Sequence, residues 1–292
     1  MYLIPKPKEL VWRMGECFLP YAGEIVTEDL NSRQIDGYAA LLKEELKASA
    51  GFDYTIRRQF GHGPVFLKNN LSMKPSQYRL SVEENKIVIE GGSDDGILYG
   101  VQTLRQILRQ RGAAIPCLVI EDYPDIKERG FYHDVTRGRV PKLSWLKTLA
   151  DKLSFYKINQ LQLYVEHTYL FSELSELWRD DTPLTAEEIM EFDAYCAARG
   201  IELVPSLSSF GHLYKILSTK QYCDCCELEN AGREPFGLIS RMEHHTIDVN
   251  SSKARTLIKN MISEFMTLFS SDKFNICADE TFDLGKGKNK AQ

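Results

Sequence analysis

Several short apolar runs in this chain end in residues able to do acid–base or sugar-binding chemistry. Residues 274–280, Phe-Asn-Ile-Cys-Ala-Asp-Glu, close on two adjacent carboxylates, Asp279 and Glu280. Residues 129–137 carry Asp134 and Arg137, residues 164–167 carry Glu166 and His167, and residues 210–212 read Phe-Gly-His and bring His212. Carboxylates and histidine are the usual general acids and bases. Arginine with carboxylates grips paired hydroxyls through bidentate hydrogen bonds. Converging at one place, these residues are what a sugar pocket needs. Singly they say less: an Asp-Glu pair often terminates a strand and caps the next helix, Arg137 can simply pair with Asp134, and His212 can be a hydrogen-bonded core residue.

The elements that would bring them together follow from hydrophobic periodicity. Beyond Pro124 the pattern alternates between near-continuous apolar runs at 130–136, 160–165, 201–207 and 274–278 and helical spacing at 144–156, 185–199 and 252–269. Such alternation predicts parallel strands with crossover helices. The polar residues then sit at the carboxyl ends of the strands, where α/β folds and (β/α) barrels build their sites. Thr185-Ala-Glu-Glu188 predicts a capping box at the second helix. Residues 208–251 show no regular element, and a connection of that length is usually functional or disordered.

Residues 1 to about 120 read differently. Helical spacing spans 29–50, with Asp29 or Asn31 as cap, and again 95–109. Short strands are expected at 54–57 and 64–68, and a hairpin joins 78–82 to 86–90. The organisation expected is a small α+β accessory domain over residues 1–122, then an α/β domain over 123–292.

With 292 residues the chain can bury real cores, and 43% hydrophobic with 26% charged residues is ordinary globular composition. A net charge of −5 and the lack of a basic run argue against nucleic acid as a partner. No apolar run reaches bilayer length and the first residues lack a signal-peptide pattern, so no membrane partner and a cytoplasmic location are expected. Seven cysteines, several isolated in predicted elements, suit free thiols in a reducing compartment. Cys223, Cys225 and Cys226 with His244 and His245 match no common zinc spacing, so no metal and no cofactor are expected, with unpaired loop thiols the preferred reading and a metal site the alternative. Trp178, Tyr169 and Phe171 could stack on a sugar, and packing of the loop is the preferred reading.

Together the motifs resemble the family 20 glycoside hydrolases, the β-N-acetylhexosaminidases. The family's Arg-Gly…Asp-x-x-Arg is met by Arg129, Gly130, Asp134 and Arg137, its Gly-His by Gly211 and His212, and its Asp-Glu by Asp279 and Glu280. Residues 78–108, with Tyr99-Gly-Val-Gln-Thr-Leu104, resemble the family's accessory domain. Two departures stand out: Cys277-Ala278 replaces the glycines that usually precede the acidic pair, and Glu166-His167 stands about where the family places aspartates.

The resemblance implies a partial (β/α)8 TIM barrel, its first four βα units, with Arg129 to Gln292 too short for a whole barrel and the chain truncated. The substrate implied is a terminal β-linked N-acetylhexosamine on an oligosaccharide or glycoconjugate. Two carboxylates adjacent in sequence cannot easily face each other across about 5 to 9.5 Å as ordinary glycosidases require. They suit substrate-assisted cleavage, in which the 2-acetamido oxygen attacks the anomeric carbon. Glu280 is expected as acid and then base, its pKa raised by like charge and partial burial. Asp279 would hold the acetamide N–H, Arg137 the C3 and C4 hydroxyls, and His212 with Glu166 would support Asp279. The competing expectation is a fragment that binds carbohydrate without turnover. Exposed strand edges and an uncovered inner face also predict a homo-oligomer.

Overall fold

The computed structural model describes residues 1–28, 32–58, 61–178, 182–233 and 242–290. The chain forms two compact units: Met1–Arg129 with Asp151–Asn159 and Ala198–Gly200, and Gly130–Ala150 with Gln160–Ala197 and Ile201–Gln292. The cap expected from Asp29 or Asn31 lies outside the described residues.

The first unit is built on a seven-stranded mixed sheet of β1 (Glu9–Phe18), β2 (Ala22–Thr27), β3 (Asp53–Arg58), β4 (Val65–Asn69), β5 (Tyr78–Glu83), β6 (Lys86–Gly91) and β7 (Ala114–Asp122). Its strand order is β1-β7-β5-β6-β4-β2-β3. Helices α1 (Arg33–Ala50) and α2 (Asp94–Arg111) cover it. Alternation does the work: Tyr78, Leu80 and Val82 of β5 and Ile87 and Ile89 of β6 are buried, and they join Ile35, Tyr38, Leu42 and Leu46 of α1 and Ile97, Val101, Leu104 and Ile107 of α2 in one core. The expected hairpin is β5–β6, paired antiparallel from Tyr78↔Gly91 to Glu83↔Lys86. Strands β1, β2 and β7 were not anticipated. In β1 the alternation is lost, since Val11, Trp12, Met14 and Phe18 are all exposed on an edge strand.

The second unit holds a three-stranded parallel sheet in the order β10-β9-β8. Strands β8 (Gly130–Asp134), β9 (Gln160–Val165) and β10 (Glu202–Leu207) alternate with α3 (Leu143–Phe155), which divides between the units after Ala150, and α4 (Ala186–Ala197). The capping box is formed, with the Glu188 N–H donating to Thr185 Oγ1 at 3.2 Å and the Thr185 N–H to Glu188 Oε2 at 3.1 Å. Helix α6 (Ser252–Met266) starts from a Ser251 cap.

The fourth strand expected at 274–278 does not form. A single parallel bridge joins Asn275 to Ser206, with Asn275 N to Pro205 O at 2.9 Å and Leu207 N to Asn275 O at 3.0 Å. Pairing stops because the chain turns: Cys277 has φ +42° and Glu280 φ +49°, both left-handed and incompatible with an extended ladder. No closed barrel is present among the described residues.

The described part of the long connection at 208–251 contains one helical turn, α5 (Tyr214–Leu217), and a 3-10 turn at Cys223–Cys225. Most of its described part is tied down, by Ile247 N to Phe210 O at 3.0 Å, Leu213 N to His245 O at 2.9 Å and Asp248 N to Cys225 O at 2.8 Å. Tyr169 and Phe171 take the packing role, buried with ring centroids 5.2 and 6.0 Å from Phe265. Among the described residues, no helix is long and apolar enough to cross a membrane.

Candidate active site

Three parallel strands carry the site from their carboxyl ends. After β8, Asp134 Oδ1 accepts the backbone N–H groups of Thr136 and Arg137, both at 2.9 Å, and Oδ2 accepts from Arg137 Nε. Burial would raise the Asp134 pKa, but these hydrogen bonds and the Arg137 charge hold it below the usual carboxylate range. The guanidinium of Arg137 lies 5.0 Å from the Tyr164 ring centre and stays half exposed. Arg137 therefore makes the pairing with Asp134 that the sequence left open, while still presenting donors to solvent.

Strand β9 ends in Glu166, which is buried. Tyr164 donates its hydroxyl to Glu166 Oε1 at 2.9 Å and accepts one from Ser208 Oγ at 3.2 Å. Burial, with the Glu166 charge beside it, pushes the Tyr164 phenol far above its ordinary pKa, so the hydroxyl stays a donor. Beyond β10, His212 is buried with φ +58°. Its backbone N–H donates to His245 Nδ1 at 2.9 Å. Nδ1 of His212 lies 3.7 Å from Glu166 Oε1, and Nε2 lies 3.1 Å from Glu280 Oε2 and 3.7 Å from Asp279 Oδ2. His212 thus links Glu166 to the acidic pair.

This geometry bears on two expectations. His212 addresses Glu280 more closely than Asp279, because Nε2 comes nearer the glutamate. The side chains of Asp279 and Glu280 are 60% and 49% exposed, since the turn at 277–280 carries them out of the sheet, so the burial of Glu280 is only partial.

The glycine before His212 has a steric reason. A Cβ at Gly211 would lie 2.8 Å from the Asp279 carbonyl oxygen and 3.1 Å from that of Glu280, so only glycine lets the two loops close. Below the acids, Tyr132 Oη, Ser206 Oγ and Cys277 Sγ form a triangle of 2.8, 3.3 and 3.1 Å, and Ser209 Oγ donates to the Ile276 carbonyl at 2.6 Å. These contacts anchor the turn where the family's glycines would otherwise relax it. Asp283 Oδ2 accepts the His245 and Thr246 N–H groups at 3.0 and 3.3 Å.

Tyr164, Ser206 and Ser208 line the site and were not singled out from sequence, and His245 was weighed there only as a partner of the Cys223–Cys226 cluster. Ser206 carried a detectable signal, a polar residue within an otherwise apolar run, as did Ser208 just past the run's end. Nothing in the sequence pointed His245 toward His212, its partner 33 residues away.

The Cys223–Cys226 segment weighed as a metal alternative is tied up within its loop. His244 Nε2 lies 2.9 Å from the Glu229 carbonyl, and Cys225 and Cys226 are buried with thiol pKa values pushed up to about 11, chiefly by burial. Among the described residues, donors close enough to share a cation are those of His212, Asp279 and Glu280, within 4.8 Å of one another.

Similarity to known proteins agrees with this layout. Residues 1–123 match "Glycosyl hydrolase family 20, domain 2" and residues 127–291 match "Glycosyl hydrolase family 20, catalytic domain". A β-hexosaminidase of Akkermansia muciniphila is 32% identical over 162 residues, covering 48% of this chain and 33% of the relative. A β-N-acetylhexosaminidase of Cellulomonas fimi is 26% identical over 316 residues, covering 98% of the chain and 61% of the relative. The chain spans 33% and 61% of these two curated relatives' own length. The fold is shared with Streptomyces plicatus N-acetyl-β-hexosaminidase, at TM-score 0.80 and 22% identity over 96% of this chain and 59% of that one. With one family matching on both sides of residue 125 and the carboxyl-end geometry in place, the chain belongs to glycosyl hydrolase family 20.

Proposed function

We propose that the chain carries the acid–base corner of a β-N-acetylhexosaminidase that removes terminal β-linked N-acetylhexosamine by substrate assistance. The carrying observation is the placing of His212 between Glu166, 3.7 Å from Nδ1, and Glu280, 3.1 Å from Nε2, with Asp279 3.7 Å from the same Nε2. In this reading the 2-acetamido oxygen attacks the anomeric carbon while Glu280 gives its proton to the departing glycosidic oxygen. An oxazolinium ion forms, and Asp279 accepts its N–H and balances its charge. Water then attacks the anomeric carbon, Glu280 takes the water's proton, and configuration is retained. Arg137, with spare donors, binds ring hydroxyls. We further infer that β8, β9, β10 and the Asn275 bridge occupy the first four strand positions of a (β/α)8 barrel. The parallel order and the family match support this.

One observation favours a second reading. Asp279 and Glu280 are about half exposed, and a sugar resting on them meets bulk water. A chain that binds N-acetylhexosamine without turning it over would present this site. The exposed Phe131, Tyr132 and Ile276 near the sheet edges also support self-association; a strictly monomeric sedimentation profile at micromolar concentration would contradict it.

The experiment is release of p-nitrophenol from its N-acetyl-β-glucosaminide by the chain and by Glu280→Gln. Turnover that falls by roughly a hundredfold or more in the variant establishes the acid. Binding of N-acetylglucosamine without turnover selects the second reading. Neither turnover nor binding sinks the hexosaminidase assignment.

A further inference from the structure

A pocket of about 240 Å³ opens within the first unit. Its floor is cationic. Lys157 is buried, and its ammonium lies 3.0 Å from Tyr78 Oη and 3.3 Å from Asp122 Oδ2. Arg129 is half buried beside it and spends its donors on neutral oxygens: Nε on the Lys157 carbonyl at 2.8 Å, Nη1 on the Ile126 and Lys127 carbonyls at 2.7 and 3.0 Å, and Nη2 on Tyr99 Oη at 2.6 Å. Asp122 is buried too, but its oxygens are shared among the Lys8 N–H, Tyr78 and Lys157.

The lining itself is net cationic. The lining carries Lys6, Lys8, Arg129 and Lys157 against Asp122 and Asp125, and Asp125 is taken by Lys8 at the exposed rim. Asp122 serves Lys157, and Asp95, outside the lining, acts on Arg129. A buried charge is costly unless it is compensated. Burial lowers the Lys157 pKa despite Asp122, and the Arg129 charge adds to that shift. An anion at the floor would accept the third ammonium proton, which neither Tyr78 nor Asp122 takes.

The mouth has the opposite character. Tyr123 is 45% and Ile126 66% exposed, and Pro5 and Pro124 complete an apolar collar. The volume lies below the roughly 300–1,000 Å³ of drug-sized pockets, so it suits a ligand of about one ring. We propose that this pocket binds a small organic carboxylate, with its flat apolar body in the collar and its carboxylate on Lys157 Nζ.

The test is calorimetric titration of the full chain with sodium benzoate and with benzamide, which has the same ring and no charge. Saturable one-to-one binding of benzoate is expected, with benzamide at least about tenfold weaker, the loss of one charge-assisted hydrogen bond. Lys157→Met should weaken benzoate by roughly tenfold or more. If that variant melts early, Ile126→Asp at the exposed collar keeps the fold and should weaken benzoate similarly by repulsion. Equal binding of benzamide overturns the proposal, as does inorganic phosphate or N-acetylglucosamine displacing benzoate at equal concentration. No binding of benzoate, or a folded Lys157→Met that binds as the parent does, overturns it as well. None of these readouts depends on hydrolysis, so the proposal stands or falls separately from the enzymatic reading.

Discussion

Replacing His245 tests how the long loop after β10 builds the site. The imidazole is fully buried, and its Nδ1 accepts the His212 backbone N–H at 2.9 Å. That bond holds His212 at φ +58°, a conformation that costs a non-glycine residue about 1–2 kcal/mol. His245→Ala leaves the His212 N–H buried without its acceptor, about 1–3 kcal/mol. It also empties the ring's volume, roughly 2 kcal/mol or more. The total is about 3–5 kcal/mol in urea unfolding. His245→Asn places Oδ1 near the position of Nδ1 and keeps the acceptor, so it should recover at least about 1 kcal/mol of that loss. In p-nitrophenol release the alanine variant should lose roughly ten- to hundredfold in kcat, because a histidine free to leave the left-handed region no longer aims Nε2 at Glu280. If both variants are equally destabilised, the acceptor is not what matters. If His245→Ala unfolds within about 0.5 kcal/mol of the parent, the loop does not hold His212 at all.

Other predictions are more local. Glu45, buried against Arg105 at 3.2 Å and Arg109 at 2.9 Å, would have its pKa raised by burial, but the hydrogen bonds from Arg109 and Ser49 and the two positive charges bring it below the ordinary value. Its contribution is complete above the unfolded carboxyl's pKa and fades as pH falls through the lower folded value, so the urea midpoint should drop below about pH 4.5 and Glu45→Gln should flatten that part of the curve. Thr185→Ala removes half the capping box and should cost about 1 kcal/mol by thermal unfolding. Cys277→Val puts a β-branched residue at φ +42° and should destabilise by roughly 2 kcal/mol, whereas Cys277→Gly, trading strain relief for lost thiol contacts, should stay within about 1 kcal/mol of the parent. Equal effects of these two substitutions would show that backbone conformation at 277 is not under strain.

The local elements could be read from the chain alone because their causes are local. Helical spacing placed α1 to α4 and α6, period-two alternation placed β5 and β6, and Thr185 with Glu188 placed a helix start that the hydrogen bonds bear out. Residue motifs also carried the family, which the matches over 1–123 and 127–291 now show. What failed were elements whose pairing is long-range. Strand β1 finds β7 about a hundred residues away and exposes its apolar side chains, so no alternation marks it. Residues 274–278 are as apolar as a strand, yet left-handed turns at Cys277 and Glu280 end the pairing at one bridge. Which carboxylate His212 serves, and that His245 holds it there, could not be read from spacing. Those choices depend on where loops separated by 33 and 68 residues come to rest, and only packing around Gly211 brings them within hydrogen-bond reach.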